Sequence, residues 1–558
     1  MGACRASAAR PAGRLLGSAR SADQFDMATT WTIRGGSVLD GEGGPSRADV
    51  EICGDRIGRI APDLQPAAGD VDASGLFISP GFIDIHCHSE FSAFVYPRAE
   101  SKVLSGVTTD VSGNCGASPF PLVGEFHARR SEEWAPYGLA IDWRTPAEFY
   151  ARAEAAPSSV NRAVLAGHGA IRAAVIGYAD RRATAAERLR MRRLLDEAIE
   201  AGAWGLSSGL IYPPGCYADV EELADLARGA AEAGGFYSSH IRSEGDGLLE
   251  AVDEFIQVCR SSGVRGQLSH LKASGAANWP KMGDAIRRLR AARADGLAVA
   301  ADRYPYLASM TDLDALLLPG WAVEGGRDEE LARLADPATR ARLAAHVFSR
   351  HPEPDYFERV LVASVSPGGS QEPAGKTLRQ LADAAGRAPV DVAFDLIIEH
   401  HTQVTATYFS MSEENLRDVL AEPYVAIGSD ASLRRLPPSP DGDAQGGLAH
   451  PRAYGTSARF LGTYVRDAGL MSWPQGIRRL TSLPADIVGL VDRGRIREGA
   501  WADLVVFDKR EIADLATYRR PWIPPAGIRH VFVNGQRVVA DGRHTGAMPG
   551  RVLKRGGP

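Results

Sequence analysis

The sequence predicts an α/β protein: a (β/α)8 TIM barrel with a small β-sandwich built from both chain ends and an insertion subdomain before the last barrel strand. Three observations carry that prediction. Between residues 77 and 490, short apolar runs alternate with amphipathic helical patterns, as parallel strands joined by helical crossovers require. Both chain ends alternate apolar and polar residues between Gly-rich turns. The interval 310–422, ahead of the last strand pattern, is too long for one crossover.

Taken in order, residues 1–28 are rich in Arg, Ala, Ser and Gly and lack a continuous apolar core. They are expected to be a disordered leader or start extension without function. Residues 31–40 and 49–60 read as strands, answered far downstream by 502–508 and 528–539, where Asn534-Gly535 signals a hairpin turn. Segments 29–76 and 491–545 are therefore assigned to one β-sandwich, and 546–558 to a tail. Barrel strands are expected at 80–88, 106–112, 162–168, 203–208, 235–240, 266–270, 297–304 and 424–430. Helices at 184–201, stopped by Gly202, at 220–233 and at 248–259 supply crossovers. The insertion holds helical patterns at 377–385 and 390–401 and a polar loop at 366–375. A second long loop, 431–454, is rich in Pro, Gly and Asp, a length uncommon unless functional or disordered.

Composition narrows the function. The 558 residues are 44% apolar and 24% charged, ordinary values for a globular protein. A net charge of -6 offers no basic surface for nucleic acid or an anionic membrane. No apolar run is long enough to span a bilayer. The six cysteines are scattered without a disulfide-type spacing and are read as reduced, consistent with a cytoplasmic protein. A small-molecule partner is the expectation, with the oligomeric state left open.

The strand ends carry the chemistry. His86 and His88 are two residues apart, so a strand projects both imidazoles to one face. The later strands end in or near Cys115, His240, His270 and Asp430. Barrel active sites lie where the strands' C-terminal ends meet, so six potential ligands converge on one rim. Cys115 alone reads as a small buried hydrophobe, His240 or His270 as a satisfied core histidine, and Asp430 as a helix cap. Their coincidence at strand ends is what favours a metal. The set divides into His86, His88 and Asp430 on one side and Cys115, His240 and His270 on the other. Three protein ligands plus an open position is the catalytic form of a zinc site, and thiolate with imidazole favours Zn2+ over harder cations. Asp430 is placed to take a proton from an activated water and return it to a leaving nitrogen, which is hydrolysis without a covalent intermediate.

The metal-strand motif, Ser112-Gly113-Asn114-Cys115-Gly116, Gly428-Ser429-Asp430 and the closing stretch 494–508 resemble the amidohydrolase superfamily. A bridging cysteine in place of a modified lysine is similar to its D-aminoacylase, or N-acyl-D-amino-acid deacylase, branch. The resemblance runs from about residue 30 to 542. It implies a β-sandwich plus barrel, with one zinc held tightly at Cys115, His240 and His270 and a second, weaker metal at His86, His88 and Asp430. The implied substrate is an N-acyl amino acid, whose carboxylate calls for fixed positive charge. Arg452, Lys272 and Tyr304 match the branch's carboxylate holders, with Arg242 a weaker candidate. His168 ends the third strand and is expected to support the site, while Cys87 should face away from the metal. Two stretches depart from the branch's pattern: Cys87 and Ser89-Glu90 in the metal strand, and Leu307-Ala308-Ser309-Met310 after Tyr304-Pro305-Tyr306. Two alternatives stand beside this reading. One is a cyclic-amide hydrolase resembling dihydroorotases or hydantoinases, which commonly use a carbamylated lysine where this chain has Cys115. The other is a non-catalytic scaffold, which predicts lost ligands, and none is lost.

Overall fold

The computed structural model describes residues 29–67, 69–366, 370–436 and 447–557. The expected leader at 1–28 lies outside them, as do residues 367–369 and 437–446 of the two expected loops.

The chain is an α/β fold. Its parallel strands are β1 (Phe82–Asp84), β2 (Val107–Ser112), β3 (Asn161–Val164), β4 (Ala166–Gly167), β5 (Gly205–Gly209), β6 (Phe236–His240), β7 (Arg265–Leu268), β8 (Val299–Arg303) and β9 (Val425–Ile427). They pair in the orders β3-β2-β1 and β4-β5-β6-β7-β8-β9. Only Leu165 separates β3 from β4, and its N–H bonds the Ser112 carbonyl at 2.9 Å, so the pairing runs across that break. At the other end Cys87 forms a parallel bridge with Ala431, and Asp430 N–H donates to the His86 carbonyl at 2.7 Å. Backbone pairing therefore returns from β9 to the segment that extends β1.

Every strand pattern expected from the sequence is present, and the crossover helices form where expected. Ala185–Ala201 starts in a capping box between Thr184 and Glu187 and ends at Gly202. Val220–Glu232 is capped by Asp219, and Leu248–Ser262 stops at the left-handed Gly263. Their apolar faces, including Leu195, Leu223, Leu226, Val252 and Phe255, are buried in one core with strand residues Leu206, Tyr237 and Leu268. Apolar burial of this kind supplies most of what holds such helices in place.

The chain ends interleave. Phe77–Pro80 pairs antiparallel with Leu504–Phe507 in a seven-stranded sheet that also contains Ile528–Val533 and Gln536–Ala540. A four-stranded sheet of Thr29–Arg34, Asp49–Cys53, Arg56–Ala61 and Gly69–Asp72 shares its core, which joins Ile33, Val50 and Ile52 to Ile78, Leu504 and Phe532. Asn534 and Gly535 both have positive φ, at 46° and 77°, as a two-residue hairpin turn requires. Within the segment 546–557, Leu553 N–H donates to the Arg162 carbonyl at 2.7 Å, and Arg162 N–H to that of Arg551 at 2.8 Å.

The long interval before β9 builds a three-stranded antiparallel sheet of Ala308–Asp312, Thr405–Phe409 and Val360–Ser364. Helices including Pro337–Arg350, Leu378–Ala385 and Pro389–Glu399 cover a separate core around Leu334, Leu343, Phe394 and Ile397. Helix Glu413–Ala421 behaves differently, placing Val419 in the core beneath the crossover helices. Among the described residues no helix is long and apolar enough to cross a membrane, and Cys87, Cys115, Cys216 and Cys259 form no disulfide.

Candidate metal centre

Six side chains distant in sequence meet at the C-terminal ends of the parallel strands. His86, His88, Cys115 and Asp430 form one donor group, and Cys115, His240 and His270 another, with the donor atoms of each group within 4.8 Å of one another. Cys115 belongs to both. Its Sγ lies 3.4 Å from His86 Nε2, 3.7 Å from His240 Nδ1 and 3.9 Å from His270 Nε2. Asp430 Oδ1 is 3.2 Å from His88 Nε2 and 3.5 Å from His86 Nε2. The sequence-predicted ligand residues are thus all brought together.

The backbone is bent to make this possible. Cys115, His270 and Asp430 adopt left-handed φ of 53°, 37° and 51°, which costs a residue with a side chain about 1 kcal/mol or more and clusters at functional sites. Gly428 allows the approach of the last strand to the first, because a Cβ there would sit 2.7 Å from the His86 Cβ.

Two carboxylates orient the imidazoles. Asp302, on β8 and fully buried, accepts from His86 Nδ1 at 3.1 Å, which turns Nε2 toward Cys115. Asp302 also accepts from Gln267 Nε2 at 2.6 Å and from His270 N–H at 3.1 Å. Glu244 Oε1 is 2.9 Å from His270 Nδ1 and forms an ion pair with Lys272. Neither acid was marked by the sequence reading. Asp302 shares β8 with the expected strand at 297–304, and Glu244 follows His240 by one helical turn's spacing, but each acts through a histidine on a different strand.

The charges suit a divalent cation. Burial pushes the Cys115 thiol up, yet His86 beside it and hydrogen bonds from His240 and His270 hold it well below the ordinary thiol range. Burial likewise opposes ionisation of Asp430, but Arg452, His270 and His88 keep it well below the usual carboxylate range. His88 is pushed down by burial and, more strongly, up by Asp430 and Cys115, reaching about 10. A thiolate and a carboxylate balanced by imidazolium protons is the charge pattern that a metal replaces on binding. The donor types fit zinc, since thiolate plus imidazole is its preferred set.

The remaining predicted residues divide. Arg452 opens helix Arg452–Arg459 where a loop was expected, and its Nη1 is 2.8 Å from Asp430 Oδ2 without the alignment of a hydrogen bond. Its Nε is also buried without a hydrogen-bond partner, so the guanidinium keeps donors to offer. Tyr304 is fully buried behind it, its ring 4.7 Å from the guanidinium carbon. Lys272 is on the cavity wall but already holds Glu244. Arg242 is spent on Glu254, at 2.8 Å, and on two backbone carbonyls. His168 is buried against Glu222 at 2.7 Å, and the Cys87 thiol turns away from the donors to Asp110, at 2.6 Å. A cavity of about 930 Å3 opens over the donors, walled by Tyr212 and by Met310 and Leu316 of the inserted region.

Comparison with known proteins identifies relatives of this chain. Residues 70–539 match the model of the family described as the amidohydrolase family. The N-acyl-D-glutamate deacylase of Alcaligenes xylosoxydans xylosoxydans is 37% identical over 528 residues, covering 94% of this chain and 96% of the relative. The D-aminoacylase of the same organism is 34% identical over 539 residues, covering 94% and 97%. The crystal structure of N-acyl-D-glutamate deacylase from Bordetella bronchiseptica superposes with a TM-score of 0.77 at 32% identity, covering 95% of this chain and all of that one. It was solved with zinc and a phosphonate inhibitor that mimics the tetrahedral intermediate of the reaction. By its match over residues 70–539 and its likeness to these relatives along almost its whole length, this chain belongs to the amidohydrolase family.

Proposed function

We propose that this chain is a zinc-dependent hydrolase that cleaves N-acyl-D-amino acids into a carboxylate and a free D-amino acid. The observation that carries the reading is the buried Cys115 thiol, held in a left-handed turn and shared by two donor groups. Two relatives whose names specify N-acyl-D-glutamate deacylase and D-aminoacylase support the substrate class. In the same reading, β1–β9 form the wall of a (β/α)8 barrel spanning 77–490, with β3 and β4 as one interrupted strand. Segments 29–76 and 491–545 form the β-sandwich. The insertion of about 310–422 has its own core only as far as Tyr408, which supports ending it before helix Glu413–Ala421.

Cys115, His240 and His270 are assigned the tightly held zinc, and His86, His88 and Asp430 a second, weaker site. Zinc bound there supplies a Lewis acid for the amide carbonyl and lowers the pKa of water toward about 7. Asp430, ionised at neutral pH, takes the proton from the attacking water and delivers it to the leaving nitrogen. Arg452 offers its unspent donors to the substrate carboxylate, with Tyr304 stacked behind it, and Lys272 adds positive potential tempered by Glu244. As Arg452 turns to the substrate, Asp430 loses its closest cation and becomes a better base. A reducing compartment such as the cytoplasm keeps the thiol available as a ligand.

The test is hydrolysis of paired N-acetyl-D- and N-acetyl-L-amino acids (Met, Leu, Phe, Glu, Asp), with metal content measured on the same sample. Cleavage of the D series by at least about 100-fold over the L series, in proportion to bound zinc, is expected. Equal cleavage of both series, or none of either by the zinc-loaded protein, would overturn the reading.

A further inference from the structure

The first and last parallel strands meet almost without a ladder. β1 is paired along its length with β2, and β9 with β8. Between them the backbone contributes the Asp430 N–H bond to His86 at 2.7 Å and a longer one from His88 N–H to the Ala431 carbonyl at 3.4 Å. This seam carries His86, His88 and Asp430.

A buried cation spans it. Lys102, on the short helix Glu100–Val103, is 1% exposed. Its Nζ lies 2.5 Å from Asp84 Oδ2 on β1, 3.0 Å from Ser429 Oγ and 3.2 Å from the Ala431 carbonyl. The ammonium's three donors therefore meet three acceptors on the two sides of the seam. Asp84 completes the connection, accepting from Ser429 N–H at 2.8 Å and from Ser429 Oγ at 2.6 Å. Both neighbours of Asp430 are tied to β1 in this way, while the Asp430 side chain stays turned to the donors above.

We propose that Lys102, with Asp84 and Ser429, is a positioning clamp that sets the direction of the Asp430 carboxylate. Stability alone is a poor account of it. Burying an ammonium and a carboxylate costs about what their attraction returns, and apolar side chains would close a seam as well. What the clamp adds is direction. It holds Ser429 and Ala431 on either side of a residue at φ 51°, a conformation that persists only where its surroundings impose it. Released from it, Asp430 relaxes toward ordinary backbone angles, and a displacement of about 1 Å at a catalytic group lowers rate by roughly 100-fold. His240 and His270 of the other donor group stand at the end of β6 and just beyond β7, strands paired on both sides, and do not depend on the clamp.

The inference rests on Asp430 as the proton carrier, and the test separates the two. Zinc-loaded, full-length Lys102→Met and Ser429→Ala are compared with wild type for kcat, KM, zinc content and deuterium exchange. Lys102→Met is expected to lower kcat by about 30-fold or more with KM within about twofold and the tight zinc retained. Exchange should quicken in peptides covering 425–433 and stay unchanged in those covering 236–240 and 265–270. Ser429→Ala should move the same quantities the same way, less far. A folded Lys102→Met with unchanged kcat, or unchanged exchange at 425–433, overturns the clamp. Should Lys102→Met fail to fold, Ser429→Ala decides on the same readings. If the wild-type protein cleaves no N-acyl-D-amino acid, the functional reading falls and the exchange comparison alone decides the clamp.

Discussion

The two halves of the metal rim are built differently. His240 stands at the end of β6 and His270 just beyond β7, strands hydrogen-bonded to neighbours on both sides, so ladder bonds fix where those imidazoles point. His86, His88 and Asp430 stand at the seam, where a single short backbone bond and a buried Lys102 network do the same task. Cys115 touches both. The lesson is that ligands on a continuous sheet inherit their geometry from the backbone, whereas ligands at a closure need side chains to hold them. In the proposed function the first half holds the tight metal and the second moves the proton.

The largest effect should come from the residue common to both halves. Cys115→Ala is expected to lose most bound zinc and to reduce kcat to below about 1% of wild type, read by metal analysis and rate together. Full metal and rate would erase the distinction between the halves. Asp430→Asn should sharpen it, lowering kcat by about 100- to 10,000-fold while the zinc at Cys115, His240 and His270 remains. Joint loss of metal and rate would recast Asp430 as chiefly a ligand. Asp302→Ala removes the acceptor of His86 Nδ1 and of His270 N–H, one partner in each half. A drop of about 10- to 100-fold in metal affinity or rate is expected, measured by competition with a chelator.

Arg452→Ala should act on binding instead, raising KM for carboxylate-bearing substrates by about 10-fold or more. An unchanged KM would take the carboxylate role away from Arg452. The smallest effect is that of pH on metal uptake. The His88 proton, held up to about 10 by Asp430 and Cys115, must leave before that nitrogen can bind a cation. Second-metal affinity should therefore rise with pH through the neutral range and fall in acid, as titration calorimetry at several pH values would read. Affinity independent of pH would remove His88 from the ligand set.

How much of this was legible in the sequence follows from the same contrast. His86 and His88 announce themselves because a strand's two-residue period is local, and Cys115, His240, His270 and Asp430 because each ends a recognisable strand pattern. Gly202, the stop after the helix at 184–201, was an equally local signal. Asp302, Glu244 and Lys102 gave none. Each acts on a residue brought near only by the fold, and a buried lysine is spelled like a solvated one. For the same reason Lys272 read as an open cation, although Glu244 already holds it. The 431–454 stretch read as loop throughout because its Pro and Gly content conceals the helix that begins at Arg452.

The central claim is tested most directly by diffraction at the zinc edge from crystals of the zinc-loaded protein. An anomalous peak about 2.3 Å from Cys115 Sγ and about 2.0–2.1 Å from His240 Nδ1 and His270 Nε2 is expected. A peak elsewhere, or none near Cys115 in protein that contains zinc, would contradict the account.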